Sequence, residues 1–153
     1  MEKNVYTGVN LTNFPSEEYF HINSCGMQTN HKQHFTILRQ EGRVDFHILY
    51  IVKGGLTAVY AGKEASLLPG NFILYPPGMP QRYTFPEAME TITFWVHFTG
   101  RTVPEILDGL GLGGGVYSKQ FYCEETRLRG IAEKAKQGGF EANGALLHFL
   151  HLL

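Results

Sequence analysis

The stretch Gly70-Asn-Phe-Ile-Leu-Tyr-Pro76-Pro-Gly78-Met-Pro-Gln81 decides the fold. It is a buried strand, Asn71–Tyr75, running into a rigid reversal. Pro76 and Pro77 fix φ, and Gly78 permits the tight turn. Gln81–Phe85 then begins the next strand. Upstream, Phe46–Lys53 is a nearly continuous apolar run, which suits a strand buried on both faces. Gly54-Gly55 ends it, Leu56–Tyr60 returns as a hairpin partner, and Ala61-Gly62-Lys63 is the next turn. Leu67–Pro69 leads back into Gly70, and Thr91–Phe98 completes the set. Further out, Tyr19–Ser24 and Phe35–Leu38 are short strands, with Asn30–Gln33 as polar turn material between them. Short strands this closely spaced indicate a sandwich or barrel.

Composition agrees. The chain has 153 residues, with 18 Gly, 7 Pro and 13% aromatics. Turn formers with strand formers argue against a helical bundle or a long βαβ array. The length fits one domain of roughly 100–150 residues and is enough to bury a core without staples. A formal charge of −1 argues against nucleic-acid binding by this piece, since a phosphate-binding module carries a basic excess. Its apolar stretches are far short of a membrane span. Residues 1–20 carry no charged-then-apolar signal pattern, so a cytoplasmic protein is expected. Cys25 and Cys123 make no disulfide framework and read as reduced, buried residues.

The two ends differ from the middle. Residues 1–17 show no sustained period and read as an arm that is ordered only if something holds it. Residues 18–100 form the barrel, and 101–153 a helical segment. Thr102-Val-Pro-Glu105 fits a capping box ahead of a short helix to about Leu110. Leu110–Gly115 is a glycine-rich connector. It does not qualify as a dinucleotide loop, because a helix precedes it and no βαβ unit follows. Glu124–Gln137 has Leu128, Ile131, Ala132 and Ala135 at helical spacing, and Gly138-Gly139 stops it. Asn143 caps a final helix with Leu146, Phe149, Leu150 and Leu153 on one stripe. That stripe either folds onto the domain's own core or pairs with a partner. A Leu-rich helix ending at Leu153 also gives the expectation that the chain is a fragment.

No nucleophile motif stands out, neither a Ser-His-acid order nor Gly-x-Ser-x-Gly. His148 and His151 lie one helical turn apart, but no Cys, Asp or Glu neighbours them closely, so they read as polar-edge residues. In Thr91–Phe98 the side chains alternate. Ile92, Phe94, Val96 and Phe98 make one apolar face, and Thr91, Thr93, Trp95 and His97 the other. An aromatic plate beside donors and acceptors suits a polyhydroxylated ligand. The alternative is that Trp95 and Tyr83 simply fill the barrel.

The opening stretch resembles the second signature of the cupin family, except that Gln81 stands where the metal-binding His belongs. The other cupin signature needs a His-x-His pair and a downstream Glu, and near Phe46–Lys53 only His47 is present. The resemblance implies a mainly β cupin-type double-stranded β-helix, or jelly-roll barrel, with C-terminal α-helices and without a metal site. No cofactor is expected. The loss weighs against an enzyme, though a metal-dependent cupin acting on a sugar stays as the alternative.

Taken in order, Gly42–Gly54, Gly62–Gly70, Tyr75–Tyr83 and Phe94–Gly100 are similar to the N-terminal effector-binding and dimerisation domain of AraC-type transcription regulators. The resemblance covers roughly residues 18–153, with 42–100 its specific part. It implies a barrel that holds a small effector, often a sugar, and an arm that closes over the pocket. It further implies a homodimer through the C-terminal helices, and DNA contact only through a separate domain with two helix-turn-helix units, expected beyond Leu153. The family's sugar-binding arginine matches Arg43, its pocket tyrosine Tyr83 and its pocket tryptophan Trp95. Two residues before the tryptophan stands Thr93, where the arabinose regulator has His, so arabinose itself is not implied. With His97 from the same strand face, the expected ligand-binding set is Arg43, Tyr83, Thr93, Trp95 and His97.

Overall fold

The structure, a computed structural model, describes residues 5–10, 19–118 and 122–153. Its described strands form two antiparallel sheets. Strands β1 (Val5–Asn10), β2 (His21–Asn30), β4 (Phe46–Lys53), β7 (Phe72–Tyr75), β9 (Thr91–Thr99) and β10 (Gly115–Tyr117) make one, in the order β1-β2-β9-β4-β7-β10. Strands β3 (Phe35–Arg39), β5 (Leu56–Tyr60), β6 (Lys63–Leu67) and β8 (Gln81–Phe85) make the other, in the order β3-β8-β5-β6. Helices α1 (Val103–Gly109), α2 (Glu125–Ala135) and α3 (Gly139–Leu152) follow.

Alternation along each strand builds two cores. Leu49, Ile51, Ile73 and Trp95 of the larger sheet meet Leu56, Ala58, Leu67, Tyr83 and Phe85 of the smaller one, so the sheets face each other and close a barrel. The opposite face of the larger sheet presents Cys25, Ile48, Tyr50, Phe94 and Val96 to Leu128, Ile131, Leu146 and Phe149 of the helices. β4 is therefore buried on both sides, as its continuous apolar run predicts. This is a mainly β, cupin-type double-stranded β-helix with C-terminal helices.

The final helix settles on its own domain. Ala142, Ala145, Leu146, Phe149 and Leu150 are buried, and the Phe149 ring meets Phe94 edge-on at 4.9 Å. Both cysteines are free and buried.

Several local expectations change: the expected strand Tyr19–Ser24 is the longer β2, and Lys63–Leu67, expected as turn and connection, is β6. Thr102 stands at the N-cap of α1 but makes no side-chain cap bond; its hydroxyl donates instead to the Tyr19 carbonyl. Asn143 lies inside α3, which starts four residues earlier, after Gly138 in the left-handed region at φ 70°. The connector at 110–115 runs into β10, which pairs with β7; a Cβ at Gly114 would strike Pro76 and the Tyr60 hydroxyl. Within the arm, Val5–Asn10 is held as β1 against β2, at the sheet edge; the remainder of residues 1–17 lies outside the described residues.

Candidate functional site

The barrel's mouth holds a cavity of about 280 Å³ lined by Ser24, Gln28, Ile37, Arg39, Arg43, His47, Leu49, Tyr83, Trp95 and His97. Strand register assembles it. His97 of β9 lies between Ser24 of β2 and His47 of β4, and Trp95 lies between Gly26 and Leu49. Opposite, Ile37 of β3 pairs with Tyr83, and Arg39 with Gln81 of β8. β2 carries a bulge between Ile22 and Ser24, and Asn23 within it reaches Asp45.

Three hydrogen-bonded groups shape this mouth. Arg43 donates through Nε and Nη2 to the two oxygens of Asp45, at 2.6 and 3.1 Å. Asp45 is fully buried and also accepts from Asn23 Nδ2 at 2.8 Å. Such a fork fixes the guanidinium plane. Arg39 Nη1 donates to Gln81 Oε1 at 3.1 Å and to the Tyr83 hydroxyl at 3.3 Å. Ser24 Oγ lies 2.7 Å from His97 Nδ1.

The Gln81 contact also determines a proton position. A guanidinium has donors only, so the Gln81 atom facing Arg39 is its oxygen. His47 Nδ1 lies 3.0 Å from that same oxygen and therefore donates, which leaves Nε2 of neutral His47 as an acceptor. His47 is neutral at pH 7: burial lowers its pKa to about 3, a trend that Gln81 opposes and that Arg39 and Arg43 reinforce. His97 is pushed down as well, first by burial, then by His47, Arg43 and Arg39. The two rings sit 4.4 Å apart, edge to face, which suits an uncharged pair.

This donor set does not fit a divalent cation. Gln81 occupies the ligand position, and its oxygen already accepts from Arg39 and His47. Two guanidinium groups border the same space, and a metal ion would face their like charge. Among the described residues no three of His, Cys, Asp and Glu come together for a metal.

Of the residues expected from sequence, Arg43, Tyr83, Trp95 and His97 line the cavity and Thr93 does not. Thr93 is fully buried in β9, opposite Gln28 and Ile51. Sequence reasoning passed over Ser24, Gln28, Ile37, Arg39 and Leu49 as site residues, and treated His47 only as the remnant of a metal motif. One signal for Arg39 was available: it follows Leu38 at the end of a strand whose partner begins at Gln81. In the structure Leu38 is 59% exposed while Arg39 lines the cavity. The α2–α3 groove, lined among others by Arg127, Lys134, Phe140 and His148, gathers no comparable hydrogen-bonded set.

The chain is similar to several solved structures. One is the Cupin_2 domain of an XRE family transcriptional regulator from Enterobacter cloacae, at 12% identity and TM-score 0.49, covering 65% of this chain and 100% of that one. Another is a Cupin 2 conserved barrel domain protein from Salinispora arenicola, at 15% identity and TM-score 0.47, covering 65% and 81%. A third is the EutQ protein of Clostridium difficile, at 16% identity and TM-score 0.44, covering 64% and 69%. No curated protein matches the chain. A family model, the AraC-like ligand binding domain, matches residues 21–144, a span that holds strands β2 to β10 and every residue lining the cavity, and the chain belongs to that family.

Proposed function

We propose that this chain is the effector-sensing domain of an AraC-type transcription regulator. It binds a small, sugar-like polar metabolite in a metal-free barrel and catalyses no reaction. The observation that carries this is the make-up of the cavity wall: the Trp95 plate stands among Ser24, Gln28, His47, Tyr83 and His97. An aromatic face covers C–H surface, and the polar groups serve hydroxyls. Arg43, Tyr83, Trp95 and His97 are the proposed ligand contacts; Thr93, outside the cavity lining, is not among them.

The regulator works as a cytoplasmic homodimer through its helices, and a separate domain reads DNA. Support for the dimer comes from α3, where Phe140 and Leu147 are exposed. Effector binding acts by favouring one arm and dimer arrangement over another, which requires different affinity for the two.

Trp95 is the single tryptophan of the protein, so its fluorescence reports on the cavity directly. A screen of sugars and small metabolites, read by thermal shift and Trp95 emission, tests the proposal. A stabilising compound should perturb Trp95, and Arg43→Ala or Trp95→Ala should abolish binding while the dimer persists in sedimentation. Normal binding to the double variant would overturn the pocket assignment. Stoichiometric metal in the purified protein would overturn the metal-free reading.

A further inference from the structure

We infer that the effector is an anion: a polyhydroxylated monocarboxylate of monosaccharide size, its carboxylate held by Arg39. The inference rests on the cavity being the effector site. It starts from the charges that border that cavity. Arg43 is matched by the two oxygens of Asp45. Arg39 is not matched: its partners, Gln81 and Tyr83, are both uncharged, and no carboxylate meets it among the described residues. The histidines on the opposite wall are neutral. The mouth of the barrel therefore carries one net positive charge on a group built for forked recognition of a carboxylate.

The groups around Arg39 refine the class. Gln81 is fully buried, and its amide nitrogen has no hydrogen-bond partner, so a donor stands beside Arg39 with nothing to accept from it. Nε2 of His47 offers an acceptor to a hydroxyl, and Trp95 offers a face to a ring. A simple carboxylate would use neither of these last two. A phosphorylated sugar would bring roughly 1.5–2 negative charges against one. A cavity of about 280 Å³ lies at the small end of ligand sites, which favours one monosaccharide unit.

The test compares acids with their neutral parents at matched ionic strength. D-glucuronate, D-galacturonate and D-gluconate are titrated beside D-glucose, D-galactose and glucose 6-phosphate, read by thermal shift and Trp95 fluorescence. At least one of the three acids should bind more tightly than the neutral sugars. Arg39→Gln should weaken that acid by about 10- to 100-fold and weaken neutral sugars by clearly less, so that the preference for the acid collapses, while Arg39→Lys should keep much of the preference. Neutral sugars binding as well as the acids would overturn the inference and leave the sensing role intact. So would unchanged acid binding in Arg39→Gln, or a clear preference for the phosphate. Failure of every compound in both series would count against the inference and the cavity assignment together.

Discussion

The backbone N–H of Gly78 donates to the carbonyl of Arg43 at 2.8 Å. The β7–β8 reversal thus holds the loop that delivers a cavity arginine. Gly78 has φ 76°, and a Cβ added there would meet nothing within 4 Å. Gly78→Ala should therefore cost only backbone strain, about 1–2 kcal/mol, or roughly 2–8 °C in Tm for a chain of this size. Gly62, at φ 78° in the β5–β6 turn, has equally open surroundings. Gly62→Ala should lower Tm comparably, yet only Gly78→Ala should weaken ligand binding in calorimetry.

Asp45 anchors Arg43 and Asn23 at once. Asp45→Asn removes the charge that fixes the guanidinium and weakens a charge-assisted bond, for an expected loss of about 1.5–3 kcal/mol. Urea denaturation measures it. A loss below 0.5 kcal/mol would mean that Arg43 does not depend on this partner.

The neutral histidines make stability fall with acid. In the folded state the His47 pKa is about 3, against about 6.5 in an unfolded chain. Above pH 6.5 neither state takes up this proton. Between pH 6.5 and 3 the unfolded state binds it and the folded state does not, so stability drops as pH falls, by about 1.4 kcal/mol per pH unit for each such group. His97 contributes in the same direction. His47→Asn should flatten the pH 6 to 4.5 slope of unfolding free energy by that amount, whatever it does to stability at pH 7. An unchanged slope would show that His47 is not held neutral.

Phe149 ties α3 to the barrel. It is buried, 4.9 Å from Phe94 and 6.4 Å from Tyr50 by ring centroids. Phe149→Ala should cost about 3–5 kcal/mol in equilibrium unfolding. Leu147→Glu, on the exposed side, should leave unfolding within about 0.5 kcal/mol and weaken self-association in sedimentation.

Most of the framework was legible because its signals are local. Phe46–Lys53 is continuous, and the predicted and observed strands share the same limits. The alternation of Thr91–Phe98 separated the helix-facing side from the cavity-facing side. What sequence missed depends on distant partners. Thr102 gives its hydroxyl to Tyr19, 83 residues away, rather than to its own helix. Val5–Asn10 and Gly115–Tyr117 are too short, and too interrupted by glycine, to show a period, and their pairing with β2 and β7 is what makes them strands. In the site, Arg39 escaped notice because β3 inverts the usual pattern, with leucine outward and arginine inward. Only its register with Gln81 shows where it points.

The pairing of β10 with β7 has a structural consequence. The chain leaves the barrel at β9, forms α1, re-enters the sheet for Gly115–Tyr117, and only then departs for α2. The helices are thus sewn to the strand that ends in the Pro76-Pro77-Gly78 reversal. The last strand before α2 is a three-residue seam along Phe72–Leu74. That seam lies on the same strand whose far end leads to the turn that holds the Arg43 backbone, so the mouth of the cavity and the take-off point of the helices share β7.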